Sequence, residues 1–129
     1  MQPLYCRIVR VVMHRILIVE DDSELLLLLE HVLLGADYRV DIARNVQGAM
    51  ALLGKRHYDL VVSDGRLEDG TGMMIAERAE QNGIRALIIT GYAFELPKEE
   101  LGRYDFLLKP VRPDELLEAV ERKLQTARS

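Results

Sequence analysis

Short, wholly apolar runs alternate with stretches of helical spacing along this chain, and no other feature restricts its fold as much. Residues 16–19 (Ile-Leu-Ile-Val) and 60–62 (Leu-Val-Val) lack the polar alternate positions of a strand with one wet face, and 84–89 is expected as a further strand, apolar but for Arg85. They read as strands covered on both sides. Two further strands are expected at 38–42 and 104–108. Between them lie helices with recognisable starts and stops: Asp22 or Ser23 as a cap with a stop at Gly35, Asn45 as a cap, Thr71 with a stop at Asn82-Gly83, a short weak helix around 97–101, and Pro113 opening a last helix to about 126. Five strands alternating with five helices imply a doubly wound α/β fold: a parallel sheet, right-handed crossovers and helices on both faces.

Length and charge narrow the class. A chain of 129 residues fits one domain able to bury roughly two-thirds of its unfolded surface. Residues 1–12 lack a repeated pattern and read as an N-terminal extension, with an added edge strand at 8–12 as the alternative; residues 13–129 form the domain, and no second domain is expected after it. The net charge of −4 carries no nucleic-acid footprint. Cys6 is the single cysteine, which excludes an internal disulfide and fits a reducing, cytoplasmic compartment. The apolar run at 25–34 is interrupted by Glu30 and His31 and falls short of the roughly 20 residues a membrane span needs, so no membrane role is expected.

Parallel strands bring their carboxyl ends to one edge, where open α/β sheets place their ligands. The first strand delivers Glu20 and Asp21 there, the third Asp64, the fourth Thr90 and the fifth Lys109. Three gathered carboxylates repel one another unless a cation holds them. An all-oxygen donor set without His or Cys favours Mg²⁺. Lysine and hydroxyl groups at the neighbouring strand ends suit phosphate oxygens. The chemistry therefore points to magnesium-assisted phosphoryl transfer with Asp64 as nucleophile. His14, His31 and His57 make no ligand spacing and read as structural or surface residues.

Four pieces in this order, Ile16-Leu17-Ile18-Val19-Glu20-Asp21-Asp22, the stretch 59–72 around Asp64, Ile88-Ile89-Thr90-Gly91 and Phe106-Leu107-Leu108-Lys109-Pro110, resemble the receiver domain of two-component response regulators. The resemblance runs from Met13 to the end and implies a flavodoxin-like sheet of strand order 2-1-3-4-5. That order is a known property of the family, carried over with the resemblance and not read from these residues. The resemblance also implies that Asp64 accepts a phosphoryl group from a phosphohistidine on a sensor histidine kinase or a histidine phosphotransfer protein. Asp21, Asp64 and the backbone carbonyl of Arg66 would ligate Mg²⁺, with Glu20 acting through a water and Asp22 outside the site. Lys109 would pair with the phosphoryl oxygens, Thr90 would move to hydrogen-bond one of them, and Phe106 would swing inward with it. Gly91 would leave access beside the group, and Arg66 and Tyr92, two residues after Asp64 and Thr90, could screen water.

The chain also departs from the family pattern. Glu68 replaces the usual proline four residues after the acceptor, and the stretch from Thr90 to Lys109 is shorter than usual, which puts in doubt dimers built on that side. Thr90-Gly91-Tyr92 with Leu96-Pro97 and Lys109-Pro110 is similar to an alphaproteobacterial group of single-domain receivers, although Ile88-Ile89 stands where their motif has Phe-Ala. In the first helix Leu25, Leu28, Leu29, Val32 and Leu33 are expected to face inward. Leu26, Leu27 and Leu34 would then form an exposed partner surface, unless residues 1–12 or a self-contact cover it. The expected function is a phosphorylation-controlled interaction switch or phosphorelay intermediate rather than an enzyme. The alternatives are a pseudo-receiver that binds without phosphorylation and a Mg²⁺-dependent aspartyl phosphatase; against the latter, Glu20-Asp21-Asp22-Ser23 is not an Asp-x-Asp arrangement.

Overall fold

In the computed structural model, which describes residues 13–91 and 102–126, the apolar runs become the strands of one parallel sheet. The strands are β1 (Arg15–Val19), β2 (Arg39–Ala43), β3 (Leu60–Asp64), β4 (Arg85–Thr90) and β5 (Asp105–Leu108). Their spatial order is β2-β1-β3-β4-β5, the expected one. Among the described residues the helices are α1 (Ser23–Gly35), α2 (Val46–Leu53), α3 (Gly72–Gln81) and α4 (Pro113–Thr126), four rather than five. The expected helix around 97–101 and the extension 1–12 lie outside the described residues, as does Tyr92. One small element was not anticipated: Arg66–Leu67 pairs antiparallel with Gly70–Thr71 in a two-strand ribbon directly after β3.

Both faces of the sheet are covered because side chains alternate along each strand. On one face Ile16, Ile18, Leu60, Val62, Leu87 and Ile89 pack against α1 and α4. On the other, Leu17, Val19 and Val61 pack against α2 and α3, and Ala86 and Ile88 continue that side against Ala76, Met73 and Phe106. Glu20, Asp64 and Lys109 fall in step with the first face, Thr90 with the second.

The caps explain where the helices begin. Asp22 Oδ1 accepts from the Glu24 and Leu25 N–H groups, Asn45 Oδ1 from Gly48, and Thr71 Oγ1 from Met74. Each satisfies an amide that the first helical turn leaves without a partner. At the end of α3, Gly83 takes a left-handed φ of 75° while the Ile84 N–H closes back onto the Ala79 carbonyl at 2.8 Å. At the end of α1, Gly35 is the last helical residue, and the left-handed position falls instead on Asp37 (φ 69°).

The inward face of α1 is rotated from the expected one. Leu26, Leu29 and Leu33 are its buried centre, with Leu25 and Val32 on the flank, whereas Leu28 is 37% exposed. Leu26 therefore belongs to the core, not to the outer surface, which consists of Leu27, Leu28 and Leu34. With leucine at every position from 25 to 29, hydrophobicity alone could not place the centre of the stripe; contact with the sheet and α4 did.

Candidate functional site

Register brings the polar strand ends together. Val19 pairs with Ser63, Asp64 with Ile89, and Thr90 with Leu108. Backbone bonds extend the ladder one step past the strands: Glu20 N–H to Ala43, Gly65 N–H to Ile89 and Lys109 N–H to Thr90. Glu20, Asp64, Thr90 and Lys109 are thus fixed by the sheet itself, with Asp21 on the loop just beyond it.

Oxygen atoms of Glu20, Asp21 and Asp64 all lie within 4.8 Å of one another, Glu20 and Asp64 buried and Asp21 exposed. Lys109 Nζ reaches over them, 3.3 Å from Asp64 Oδ2 and 3.9 Å from Glu20 Oε1. Glu20 Oε2 accepts from the Asp22 N–H at 3.1 Å, whereas the buried Glu20 Oε1 has no hydrogen-bond donor among the described residues. Burial, and then the neighbouring Asp64 carboxylate, push the Glu20 carboxyl up to about 7 against the pull of the Asp22 amide and Lys109. An orphaned carboxylate oxygen beside two other carboxylates, all hard oxygen donors, fits a small divalent cation.

The three neighbouring acids 20–22 divide their work: Asp22 is spent on capping α1, Glu20 is buried, and Asp21 remains open to solvent. Sequence reasoning missed Arg44, whose Nη2 donates to the Asp21 carbonyl (3.1 Å) and to Ser23 Oγ (2.8 Å), tying the β2–α2 loop to the loop that carries Asp21. It also missed Asp69. This carboxylate accepts from the Val46 and Gln47 N–H groups (2.7 and 3.0 Å) at the start of α2, and those bonds hold it below the usual carboxylate range. The loop that lacks the family proline at Glu68 is braced there instead. Neither contact has a local sequence signal, because both span more than twenty residues.

After Asp64 the chain turns tightly. Ser63 Oγ donates to the Asp64 carbonyl, Gly72 N–H donates to the Gly65 carbonyl (3.0 Å), and a side chain on Gly72 would run into the Asp64 carbonyl oxygen. Gly72 is required by this close approach. Arg66 is exposed, and its N–H donates to Asp64 Oδ1 at 3.4 Å. Thr90 is buried, and Phe106 is half-buried on the same face of the sheet, against Ile88. Leu27 and Leu34, 66% and 50% exposed, lie on the outer side of α1.

Known proteins resemble this chain in sequence and fold. The family profile of the response regulator receiver domain matches residues 16–121. The acid tolerance regulatory protein ActR of Rhizobium meliloti is 33% identical over 110 residues, covering 81% of this chain and 57% of that protein. The alginate biosynthesis transcriptional regulatory protein AlgB of Pseudomonas aeruginosa is 30% identical over 116 residues, 86% of this chain and 26% of its own length. The chain thus spans only part of these relatives. Among solved structures, a CheY-like receiver domain protein from Methanospirillum hungatei superimposes with a TM-score of 0.81 at 29% identity, covering 91% of this chain and 98% of its own. The signal receiver domain of an HD domain-containing protein from Pseudomonas fluorescens gives 0.78 at 27% identity, over 92% of each. No helix among the described residues is long and apolar enough to cross a membrane. The five-stranded parallel sheet agrees with these matches, and the chain belongs to the response regulator receiver domain family of two-component signalling.

Proposed function

We propose that this receiver takes a phosphoryl group onto Asp64 from the phosphohistidine of a sensor histidine kinase or histidine phosphotransfer protein, and that it works as an interaction switch or relay intermediate rather than as an enzyme. The observation that carries this reading is the meeting of Glu20, Asp21 and Asp64 oxygens within 4.8 Å beneath an amine 3.3 Å from Asp64. An Asp64 oxygen attacks phosphorus as the phosphorus–nitrogen bond of the donor breaks, leaving the imidazole as the departing group. Asp21, Asp64 and the Arg66 carbonyl would hold Mg²⁺, with Glu20 reaching it through a water, and the ion would supply positive charge to the phosphoryl oxygens. Lys109 neutralises a further oxygen and Thr90 donates a hydrogen bond to another. Phe106, on the face that Thr90 shares, fills the space that Thr90 leaves.

The net charge of −4 favours a protein rather than a nucleic acid as the downstream partner, in the cytoplasm where kinases present their phosphohistidines. The exposed leucines of α1, Leu27 and Leu34, supply apolar area for docking of the kinase or phosphotransfer protein. We assign residues 13–129 to this receiver module. Incubation with acetyl phosphate and Mg²⁺, followed by intact-mass measurement, should yield one phosphate adduct that is lost in Asp64→Asn. No adduct on the native chain would favour a binding module without phosphorylation. Steady phosphate release from varied monoesters would favour a phosphatase.

A further inference from the structure

Of the three gathered acids, the sheet itself holds two. Glu20 stands one rung past β1, its N–H on the Ala43 carbonyl (3.1 Å), and Asp64 is the last residue of β3. Asp21 lies beyond the last rung and is exposed, yet it brings a carboxylate oxygen within 4.8 Å of the other two. A carboxylate on a loop has conformational freedom to lose before it can share a cation with fixed partners. The peptide between Asp21 and Asp22 removes much of that freedom, because both its polar groups are held. Its carbonyl accepts from Arg44 Nη2 (3.1 Å), and its N–H donates to Glu20 Oε2 (3.1 Å).

Arg44 starts from a firm base. It follows Ala43, the last residue of β2 and the acceptor of the Glu20 rung, and it precedes Asn45, the cap of α2. Each terminal guanidinium nitrogen offers a pair of hydrogens. Arg44 Nη2 gives one to the Asp21 carbonyl and one to Ser23 Oγ (2.8 Å), clasping the turn on either side of Asp22. Asp22 is in turn fixed by capping α1. Donation to the carbonyl of a peptide polarises it and strengthens the bond made by its N–H, so the same contact steadies Glu20. Because the Asp22 N–H occupies Oε2, the Glu20 oxygen without a donor among the described residues is Oε1.

We infer that Arg44 is a positioning residue for Mg²⁺: by clamping the Asp21–Asp22 peptide it presets the Asp21 and Glu20 carboxylates, an inference that rests on the cation role proposed above. Its bonds go to a carbonyl and a hydroxyl, not to a carboxylate. Charge and position therefore act in opposite directions. As a nearby cation Arg44 repels Mg²⁺, whereas as a clamp it spares the ligands an ordering cost when the ion binds.

Titration of the full chain with magnesium chloride and with calcium chloride, followed by amide NMR, separates the two effects. Loss of charge alone would tighten both ions, and loss of the clamp weakens them. Arg44→Ala should weaken Mg²⁺ binding about tenfold, the lower end for a residue that orients metal ligands from outside. Ca²⁺ tolerates irregular oxygen shells where Mg²⁺ demands a near-octahedral one, so it should lose less. Arg44→Lys should recover part of the Mg²⁺ affinity, although it brings back the repelling charge. In the metal-free chain the Asp22 amide should exchange with solvent faster in Arg44→Ala than in the native protein.

Unchanged or tighter Mg²⁺ binding in Arg44→Ala would overturn the inference, as would an equal or larger loss for Ca²⁺. Should alanine at 44 weaken the fold, Ser23→Ala decides, since it removes one acceptor and leaves the guanidinium in place. Weaker Mg²⁺ binding there supports the clamp, and native affinity counts against it. A native chain that binds neither ion would instead defeat the cation reading, and this inference with it.

Discussion

At the scale of single residues, the site is a balance of charge and burial. Glu20 is fully buried with one oxygen lacking a donor among the described residues, and its carboxyl is raised from 4.5 to about 7. An acid raised in this way binds more protons folded than unfolded. Its contribution to stability is complete below 4.5 and is lost as pH rises through about 7. The metal-free protein should therefore show a falling melting temperature across that window, and Glu20→Gln should flatten the fall. Mg²⁺ should raise the melting point most at the alkaline end, where the cluster is fully ionised. Calorimetry across the window checks this, and an unchanged slope in Glu20→Gln would place the pH dependence on another group. The two buried acids are served unequally: Lys109 Nζ lies 3.3 Å from Asp64 and 3.9 Å from Glu20, and Glu20 bears the penalty of burial.

At the scale of elements, α1 shows how composition and packing divide the decision. Its unbroken leucine run makes a helix legible but blurs its orientation, and the core takes Leu26 where the pattern favours Leu28. Truncation tests the assignment: Leu26→Ala should cost about 2–5 kcal/mol in urea unfolding, the usual loss for a buried leucine. Leu27→Glu, at a site 66% exposed, should stay within about 0.5 kcal/mol. If Leu27 serves docking, that same substitution should slow phosphotransfer from a kinase while leaving the small-molecule reaction with acetyl phosphate unchanged. The loop after β3 teaches a related lesson. Glu68 in place of proline suggests a looser segment, yet Asp69 pins it to the first amides of α2 and the ribbon of Arg66–Leu67 with Gly70–Thr71 closes it. Helix amides without partners attract a carboxylate from wherever the fold brings one.

At the scale of the whole molecule, the two edges of the sheet differ in purpose. The carboxyl edge gathers three acids, one Glu20 oxygen having no donor among the described residues, whereas the opposite edge is tied down: the buried Tyr58 hydroxyl donates to Asp41 Oδ2 at 2.7 Å, and Arg15 and Arg56 pair with the same carboxylate. Tyr58→Phe removes one donor and leaves an acceptor with other partners, so it should cost about 1 kcal/mol in urea unfolding without altering phosphorylation. The sequence alone determined the strands, most helix starts and the identity of the groups at the carboxyl edge. Apolar runs, caps and the strand-end acids are local properties, and parallel strands must deliver their ends to one side. Tertiary structure alone decided which face of α1 is inward and that Arg44 and Asp69 brace the loops of the site. Those outcomes depend on contacts between segments distant in the chain, where the winner is set by shape and by which unpaired group lies nearest, and neither quantity is written in any local pattern.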